Sequence, residues 1–339
     1  MNATSVTEIF ALQGEPGAAE LSEVLDEIGD GGRPAELRPL KEGVYRLALS
    51  GAGSVVLKRL DPAVAQRARL VAERWLPALG LGDRCARLLG VAGDRAGRVV
   101  WHVYEDLGDD TLAARPTPER VRATVDLLAE VHLRGARHAV LPDVRRYGGG
   151  LGLAYFTANV ADATAALEAV VAAGVATPTQ YAGVTTRLLE RLYALGADAP
   201  RRARVFDDAA GPDTLLHGDA WTINAFVFDT ADGPRARLVD WDKVGIGPFS
   251  YDLSTFLFRF PPAERPGILD RYREALARAG RVLPPAAELH LLFDTAERAR
   301  YANCIIWPAL ALLQDHADWG FPGLAEVERW FLALDRRPA

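Results

Sequence analysis

Three polar side chains lie close together in a segment that is otherwise apolar. The segment LLHGDAWTINAF, residues 215–226, carries His217, Asp219 and Asn224 among leucine, isoleucine and phenylalanine. Burying a carboxylate costs free energy unless a cation, a metal ion or several hydrogen bonds compensate its charge. The segment is therefore either an ordinary turn between two strands or a loop that carries out chemistry.

A second carboxylate follows one predicted hairpin later, where Asp240 ends the apolar run ARLVD. Carboxylate and amide oxygens suit Mg²⁺, which takes only a few ligands from the protein. We therefore expect Asn224 and Asp240 to bind Mg²⁺, while Asp219 stays free to orient a hydroxyl group and accept its proton. One base and two metal ligands around a short hairpin are typical of phosphoryl transfer.

Phosphoryl transfer also needs a positive group beside the phosphates. Lys58 lies near the end of the predicted strand SVVLKRL, and Glu73 lies within the predicted helix that follows. We predict that Glu73 forms an ion pair with Lys58 and holds it in position. Taken alone, two such residues are more often solvated charges. The order of lysine, glutamate, HGDxxxxN and strand-terminal aspartate, each on the expected element, favours the functional interpretation.

The pattern of the chain changes near Gly108. Residues 37–107 contain two β-type runs, a helical segment and two further β-type runs, which predicts a β-β-α-β-β lobe. Downstream, helical periodicity dominates, interrupted by two short strands around Asn224–Phe228 and Arg237–Val239. We expect an α+β protein with an N-terminal extension at 1–36 packed on the main body, a small β-rich lobe at 37–107 and a larger helical lobe at 108–339.

The composition is that of a globular protein, with 49% hydrophobic and 25% charged residues among 339. A net charge of −6 without a basic stripe argues against a nucleic-acid partner. The two cysteines form no CxxC pair, so neither a zinc site nor a disulfide framework is expected. The N-terminus lacks the pattern of a signal peptide, and the most apolar segment is too short to span a membrane. We expect a cytoplasmic protein without a membrane partner.

Several motifs of the chain resemble those of the aminoglycoside phosphotransferase and choline kinase superfamily, which consists of small-molecule kinases. The motifs are VVLKRL, AERWLPALG, VYEDLGDDTL, LLAEVH, HGDAWTINAF and LVDWDKVGIGPFSYDLS, spanning about residues 37–257. The resemblance implies a two-lobed, protein-kinase-like fold with a small β-rich N-lobe and a larger helical C-lobe. It also implies ATP or GTP as co-substrate, Mg²⁺ as cofactor, and a monomer or homodimer acting on a small-molecule hydroxyl.

The resemblance also assigns a role to individual residues. It makes Asp219 the catalytic base and Asn224 and Asp240 the Mg²⁺ ligands. Lys58 would contact the α- and β-phosphates, and Glu73 would hold Lys58 in position. Backbone groups of Glu105 and Leu107 would form hydrogen bonds with the edge of the adenine or guanine ring. His217 and Asp252 would brace the catalytic loop through hydrogen bonds.

The match is imperfect at two positions near the predicted site. The turn expected to cover the phosphates reads RPLKEGVYRL, with Gly43 as its only glycine, although backbone N–H groups near Lys41 could still cap the phosphates. Trp221 stands two positions after Asp219, where protein kinases typically have a lysine, and no APE motif follows Asp240. The missing lysine at position 221 and the missing APE motif argue against a protein substrate.

The acceptor is open at the level of the sequence. Aromatic and acidic residues of the helical lobe would suit a cationic amine, a sugar or a nucleoside, although most of them could equally be core residues. These residues are Trp221, Tyr155, Phe156, Tyr301, Trp307, Asp315, Asp318 and Trp319. By resemblance we favour an antibiotic-type aminoglycoside, sugar or nucleoside. The alternatives are a metabolic kinase of the choline, ketosamine or homoserine type, or a catalytically silent kinase fold.

Overall fold

The computed structural model describes residues 15–28, 34–50 and 53–335. In chain order its main elements are α1 (Ala18–Ile28), β1 (Pro34–Lys41), β2 (Val44–Leu49), β3 (Gly53–Leu60), α2 (Pro62–Leu70), β4 (Leu88–Gly93), β5 (Val100–Glu105), α3 (Pro118–Gly135), α4 (Leu141–Gly148), α5 (Leu153–Ala172), α6 (Val184–Ala209), β6 (Thr214–Leu216), β7 (Ala225–Thr230), β8 (Gly233–Leu238), β9 (Gly245–Gly247), α7 (Ser250–Leu257), α8 (Arg265–Arg278), α9 (Ala286–Gln314) and α10 (Gly320–Asp335).

The described chain divides into two compact units. The first unit comprises the described residues up to Arg134 together with Pro142–Gly148 and His217–Val244. The second unit comprises Gly135–Leu141, Gly149–Leu216 and the described residues from Gly245 onward. The HGDxxxxN segment and Asp240 thus belong to the same unit as Lys58. The domain limits at residues 36 and 107 stay a prediction.

The first unit is built on a five-stranded antiparallel sheet in the order β1-β2-β3-β5-β4. Four of these strands and the helix between them confirm the predicted pattern. The remaining strand, β1, was not predicted as a separate element. Its sequence PAELRPLK leaves most side chains exposed and contains two prolines, so it shows little apolar alternation. Proline is tolerated there because β1 forms an edge of the sheet.

Alternation along β3 decides which side chains face the core of this sheet. Val55 and Leu57 are buried in a cluster that also contains Trp101 and, from α1, Leu21. Because successive side chains of a strand point to opposite faces, Lys58 lies on the face opposite to Leu57. α1 therefore packs on one face of the sheet and leaves Lys58 on the other.

The segment predicted as one helix after β3 contains a change of helix type. Asp61 caps α2 by accepting a hydrogen bond from the N–H of Ala63 at 2.9 Å. A π-helical turn then runs over Val71–Trp75, closed by a bond from the N–H of Leu76 to the carbonyl of Val71. A π turn rotates the residues that follow relative to an ordinary α-helix.

The hairpin of β7 and β8 follows the HGDxxxxN segment and confirms the two predicted short strands. It is tied to the start of α3 by Arg120, whose side chain is only 2% exposed. The Arg120 guanidinium donates to the carbonyl of Val227 at 2.7 Å and to the carboxylate of Asp110. A buried guanidinium needs such partners because its charge cannot be left uncompensated.

The second unit is mostly helical. A hydrophobic core in this unit is formed by α5, α6, α9 and α10 and includes Phe156 and Tyr301. α6 extends beyond the predicted helix and passes through Pro200. Arg202 is buried there and forms an ion pair with Asp294 at 2.8 Å. Among the described helices, none is long and apolar enough to cross a membrane.

The burial of Leu57 gives a stability prediction. Leu57→Ala should lower the free energy of unfolding by about 2–5 kcal/mol, because it removes buried methyl groups and leaves a cavity beneath the sheet. Chemical denaturation measures the change. Val282, which is 91% exposed, supplies the control, since Val282→Ala should cost less than about 0.5 kcal/mol. Equal effects of the two substitutions would contradict the described packing.

Candidate active site

The loop that begins the HGDxxxxN segment is held against a neighbouring turn at a glycine. Gly218 has φ +82°, in the left-handed region. A Cβ atom at this position would lie 1.8 Å from the carbonyl oxygen of Lys243. Only glycine therefore lets this loop approach the Trp241–Lys243 turn so closely.

His217 is fully buried and connects the same two segments through hydrogen bonds. Its Nε2 lies 2.9 Å from the carbonyl oxygen of Val239, and its Nδ1 accepts from the N–H of Asp219 at 3.2 Å. These partners assign the proton to Nε2, because a carbonyl can only accept. Its ring also packs on Trp241, with centroids 4.5 Å apart. The bracing role predicted for His217 agrees with these contacts.

Asn224 holds Asp219 from the other end of the loop. Its Nδ2 donates to the Asp219 carbonyl at 2.9 Å and lies 3.4 Å from the Asp219 carboxylate oxygen Oδ2. Asn224 is 6% exposed, whereas Asp219 is half-buried. Because the amide nitrogen is used in this way, the amide oxygen is the atom suited to a cation.

Asp240 lies at the start of the Trp241–Lys243 turn in an uncommon backbone conformation, with φ +65° and ψ +53°. Such a conformation is rare for a non-glycine residue and occurs often at functional sites. Its carboxylate contacts Lys58 Nζ at 2.5 Å and Lys41 Nζ at 2.7 Å. Burial opposes ionisation, but the two lysines hold the pKa of this carboxyl well below its usual range.

Lys58 contacts a second carboxylate, Asp242, at 2.7 Å, in addition to Asp240. Burial alone would lower the pKa of Lys58, and the two carboxylates raise it above its usual value. The predicted ion pair with Glu73 was wrong. Glu73 is exposed and pairs with Arg69 at 2.8 Å instead. The physical reason is that Glu73 lies on the solvent side of its helical segment, where Arg69 four positions earlier is its neighbour.

A cavity of about 290 Å³ lies within the first unit and brings most of the predicted residues together. The predicted residues that line it are Lys58, Glu105, Leu107, Asn224 and Asp240. Asp219 is joined to this group through its contact with Asn224. The apolar part of the lining includes Val56, Ala68, Val71, Cys85 and Leu238.

The predicted hinge is fixed by side-chain contacts as well as by strand pairing. The Glu105 carboxylate accepts from Arg237 and from the N–H of Arg87, both at 2.8 Å. The next residue, Asp106, binds Arg46 at 2.7 Å and accepts from Ser54 Oγ at 2.6 Å. The base contacts expected from the backbone of Glu105 and Leu107 stay a prediction.

Tyr104 also lines the cavity, and His102 holds its hydroxyl group. His102 Nδ1 lies 2.9 Å from that hydroxyl. Burial, together with the nearby charges of Lys58 and Arg69, lowers the pKa of His102 to about 4. The ring is therefore neutral at pH 7.

The donor set beside the cavity fits a magnesium ion. Among the described residues, no group of three or more His, Cys, Asp or Glu side chains is arranged to hold a metal. Asn224 and Asp240 nevertheless present an amide and a carboxylate to one cavity. Mg²⁺ commonly takes one or two such oxygens from the protein and completes its coordination with water and phosphates.

Two charged residues beside this site had no assigned side-chain role in the sequence-based prediction. Asp242 follows Asp240 by two positions in LVDWD, and that spacing was the available signal. Lys41 had been expected to contribute backbone N–H groups, whereas its side chain binds Asp240. The Lys58–Asp242 and Lys41–Asp240 contacts each join residues that are distant in sequence.

Comparisons with known proteins were consistent with this geometry. The sequence model of the phosphotransferase enzyme family matches residues 38–289. The chain belongs to the phosphotransferase enzyme family. No curated protein sequence matches this phosphotransferase.

Three solved structures show how widely the fold of this phosphotransferase is shared. A choline/ethanolamine kinase family protein from Mesorhizobium loti is 16% identical with a TM-score of 0.58, and the match covers 94% of each chain. A spectinomycin phosphotransferase in complex with ADP and spectinomycin is 12% identical with a TM-score of 0.57, covering 91% of this chain and 93% of that one. A Streptomyces rimosus aminoglycoside phosphotransferase with ADP and streptomycin is 16% identical with a TM-score of 0.51, covering 81% and 97%. The phosphotransferase thus has the protein-kinase-like α+β fold.

The predicted acceptor residues of the phosphotransferase divide into core and surface positions. Phe156 and Tyr301 are buried in the helical core of the second unit, so for these two the core interpretation applies. Trp307 and Trp319 are 65% and 54% exposed. Trp221, in the first unit, is half-buried, and its backbone N–H donates to the Asp219 carbonyl at 2.7 Å.

The close approach at Gly218 gives a second prediction. Gly218→Ala should destabilise the phosphotransferase by roughly 1–3 kcal/mol more than Gly97→Ala, because a Cβ at position 218 meets the Lys243 carbonyl. Gly97 is a matched control, since it also has positive φ but no atom within 4 Å of its added Cβ. Denaturant unfolding of both variants measures the difference. Equal destabilisation would show that this approach is not required.

Proposed function

We propose that this protein transfers the γ-phosphate of ATP or GTP to a hydroxyl group of a small molecule. The observation that carries the proposal is the cavity shared by Lys58, Asn224 and Asp240, with Asp219 bound to Asn224. A buried cation, an amide–carboxylate pair and a positioned base are the groups that phosphoryl transfer requires. Use of a nucleoside triphosphate also fits the proposed cytoplasmic location.

In the proposed reaction the acceptor oxygen attacks the γ-phosphorus in line with the bond that breaks. A new P–O bond forms to the acceptor, the bond from the γ-phosphorus to the β–γ bridging oxygen breaks, and the nucleoside diphosphate leaves. Asp219 orients the hydroxyl group and accepts its proton. His217 and Asn224 hold Asp219 through its backbone, which restricts the position of the base.

The phosphates carry most of the charge that the site must compensate. Lys58 would contact the phosphates nearest the nucleoside. Asn224 and Asp240 would hold Mg²⁺, which when bound neutralises phosphate charge. The apolar lining from Val56, Val71 and Leu238 suits the flat faces of a purine base.

For the acceptor we propose first an antibiotic-type aminoglycoside, sugar or nucleoside. Structures with this fold include complexes with streptomycin and spectinomycin, which supports the class but not a particular compound. Trp221, two positions after Asp219 and half-buried in the same unit, is the candidate for acceptor contact, because an aromatic ring can pack on a sugar or on an amine.

A metabolic acceptor is the second candidate. Its support is that the fold is shared with choline and ethanolamine kinases at TM-scores up to 0.58. Incubation with ATP or GTP and a panel of aminoglycosides, nucleosides, sugars, choline and ethanolamine would separate the two candidates. Mass spectrometry would detect the gain of one phosphate, and phosphorylation of choline or ethanolamine alone would overturn the first choice.

Replacing the proposed base is the direct test of the reaction. Asp219→Asn should lower kcat by about 10²–10⁴-fold, because the hydroxyl group loses its proton acceptor. Binding of ADP, measured by calorimetry, should persist. Asp229→Asn alters an exposed carboxylate of the following hairpin and should leave kcat unchanged. Turnover of Asp219→Asn at the wild-type rate would overturn the assignment.

A further inference from the structure

The environment of Lys58 contains one more carboxylate than the proposed reaction uses. Lys58 Nζ lies 2.5 Å from Asp240 Oδ1 and 2.7 Å from Asp242 Oδ1. The side chains of Lys58, Asp240 and Asp242 are 13%, 20% and 25% exposed. An ammonium group this deeply buried requires a nearby anion.

Asp240 cannot serve Lys58 alone once a nucleotide is bound in the proposed way. This inference rests on the proposed function, in which the Asp240 oxygens also bind a metal ion. Lys41 already contacts its other oxygen at 2.7 Å. If the Asp240 carboxylate coordinates a metal ion, Lys58 needs a second carboxylate to fix its ammonium group beside the phosphates. Glu73 does not supply it, because Glu73 is exposed and bound to Arg69.

Asp242 is held in place from several sides. α2 packs against the Trp241–Lys243 turn, and Arg67 of α2 donates to the Asp242 carbonyl at 3.3 Å. The Trp241 indole nitrogen donates to the Leu238 carbonyl at 3.1 Å, which closes the turn from the other side. The Asp242 carboxylate is therefore presented to Lys58 by a fixed backbone.

We propose that Asp242 is the positioning residue of Lys58. It takes the role that the sequence predicted for Glu73, and α2 contributes through the contact of Arg67 with the Asp242 carbonyl instead. Asp242 thus keeps the ammonium group in place for the β-phosphate while Asp240 is engaged elsewhere.

Binding of ADP and AMP in the presence of Mg²⁺ tests this proposal directly, because the proposed metal site then engages Asp240 and leaves Asp242 to fix Lys58. The two nucleotides differ by the β-phosphate, so the ratio of their dissociation constants reports how well Lys58 meets that group. Calorimetry would compare the wild type with Asp242→Asn, Asp242→Glu, Lys58→Met, the Lys58→Met/Asp242→Asn double variant and Glu73→Gln. Asp229→Asn is the control for loss of a carboxylate outside the cavity.

The sign of the change separates positioning from simple charge. We expect Asp242→Asn to reduce the preference for ADP over AMP by about tenfold, a factor equivalent to about 1.4 kcal/mol. If Asp242 only added negative charge near the phosphates, its removal would strengthen ADP binding instead. Asp242→Glu should restore part of the preference, and Asp229→Asn should leave it unchanged.

The double variant separates positioning from metal binding. In the Lys58→Met background, Asp242→Asn should cause no further loss of ADP preference, nor of kcat/KM for the nucleotide with Mg²⁺ present. A metal ligand would still lower kcat/KM in that background, and this result would overturn the proposal.

Three other outcomes would also decide against Asp242. An unchanged or increased ADP preference in Asp242→Asn would overturn its positioning role while leaving the proposed function intact. Loss of the ADP preference in Glu73→Gln but not in Asp242→Asn would restore the predicted role of Glu73 as the residue that holds Lys58. If wild-type protein bound neither nucleotide, the proposed function itself would fail, and the role of Asp242 with it.

Discussion

The organisation of the first unit depends on placing the ammonium group of Lys58 among carboxylates away from bulk water. Removing charges from water costs several kcal/mol per ion, which close contacts with opposite charges must offset. Here the offset comes from Asp240 and Asp242, which both lie in one short segment. That segment must lie close to β3. Two uncommon backbone conformations allow the close contact.

Backbone conformation accomplishes the approach at two positions. Gly218 lets the loop before Asp219 lie against the Lys243 carbonyl, and Asp240 adopts a left-handed conformation at the start of its turn. His217 joins both segments by bonding Asp219 and Val239. The proposed base, Asp219, and the proposed metal ligand, Asp240, are therefore positioned by one shared set of contacts. Uncommon conformations of this kind persist where surrounding structure enforces them.

The fold limits the acceptor less than it limits the phosphate chemistry. Solved structures that share it include choline kinases and enzymes bound to streptomycin or spectinomycin. One fold can host many functions because specificity lies in sites placed on it. In this chain the residues proposed to lie near the phosphates form a network of ion pairs among Lys58, Asp240 and Asp242. In the second unit, the side chains of Trp307 and Trp319 are exposed, so neighbouring residues restrict them less than buried side chains are restricted.

The sequence alone determined the α+β class, the β7–β8 hairpin and the grouping of Lys58, Asn224 and Asp240. These features follow from apolar periodicity and from residue types at short spacing, which are local properties. Tertiary structure decided the partner of Lys58, because Glu73 is exposed and pairs with Arg69, while the left-handed Asp240 begins the turn that brings Asp242 near. It also placed Phe156 in the core, since an aromatic residue in a helix suits either a core or a pocket until its neighbours are known.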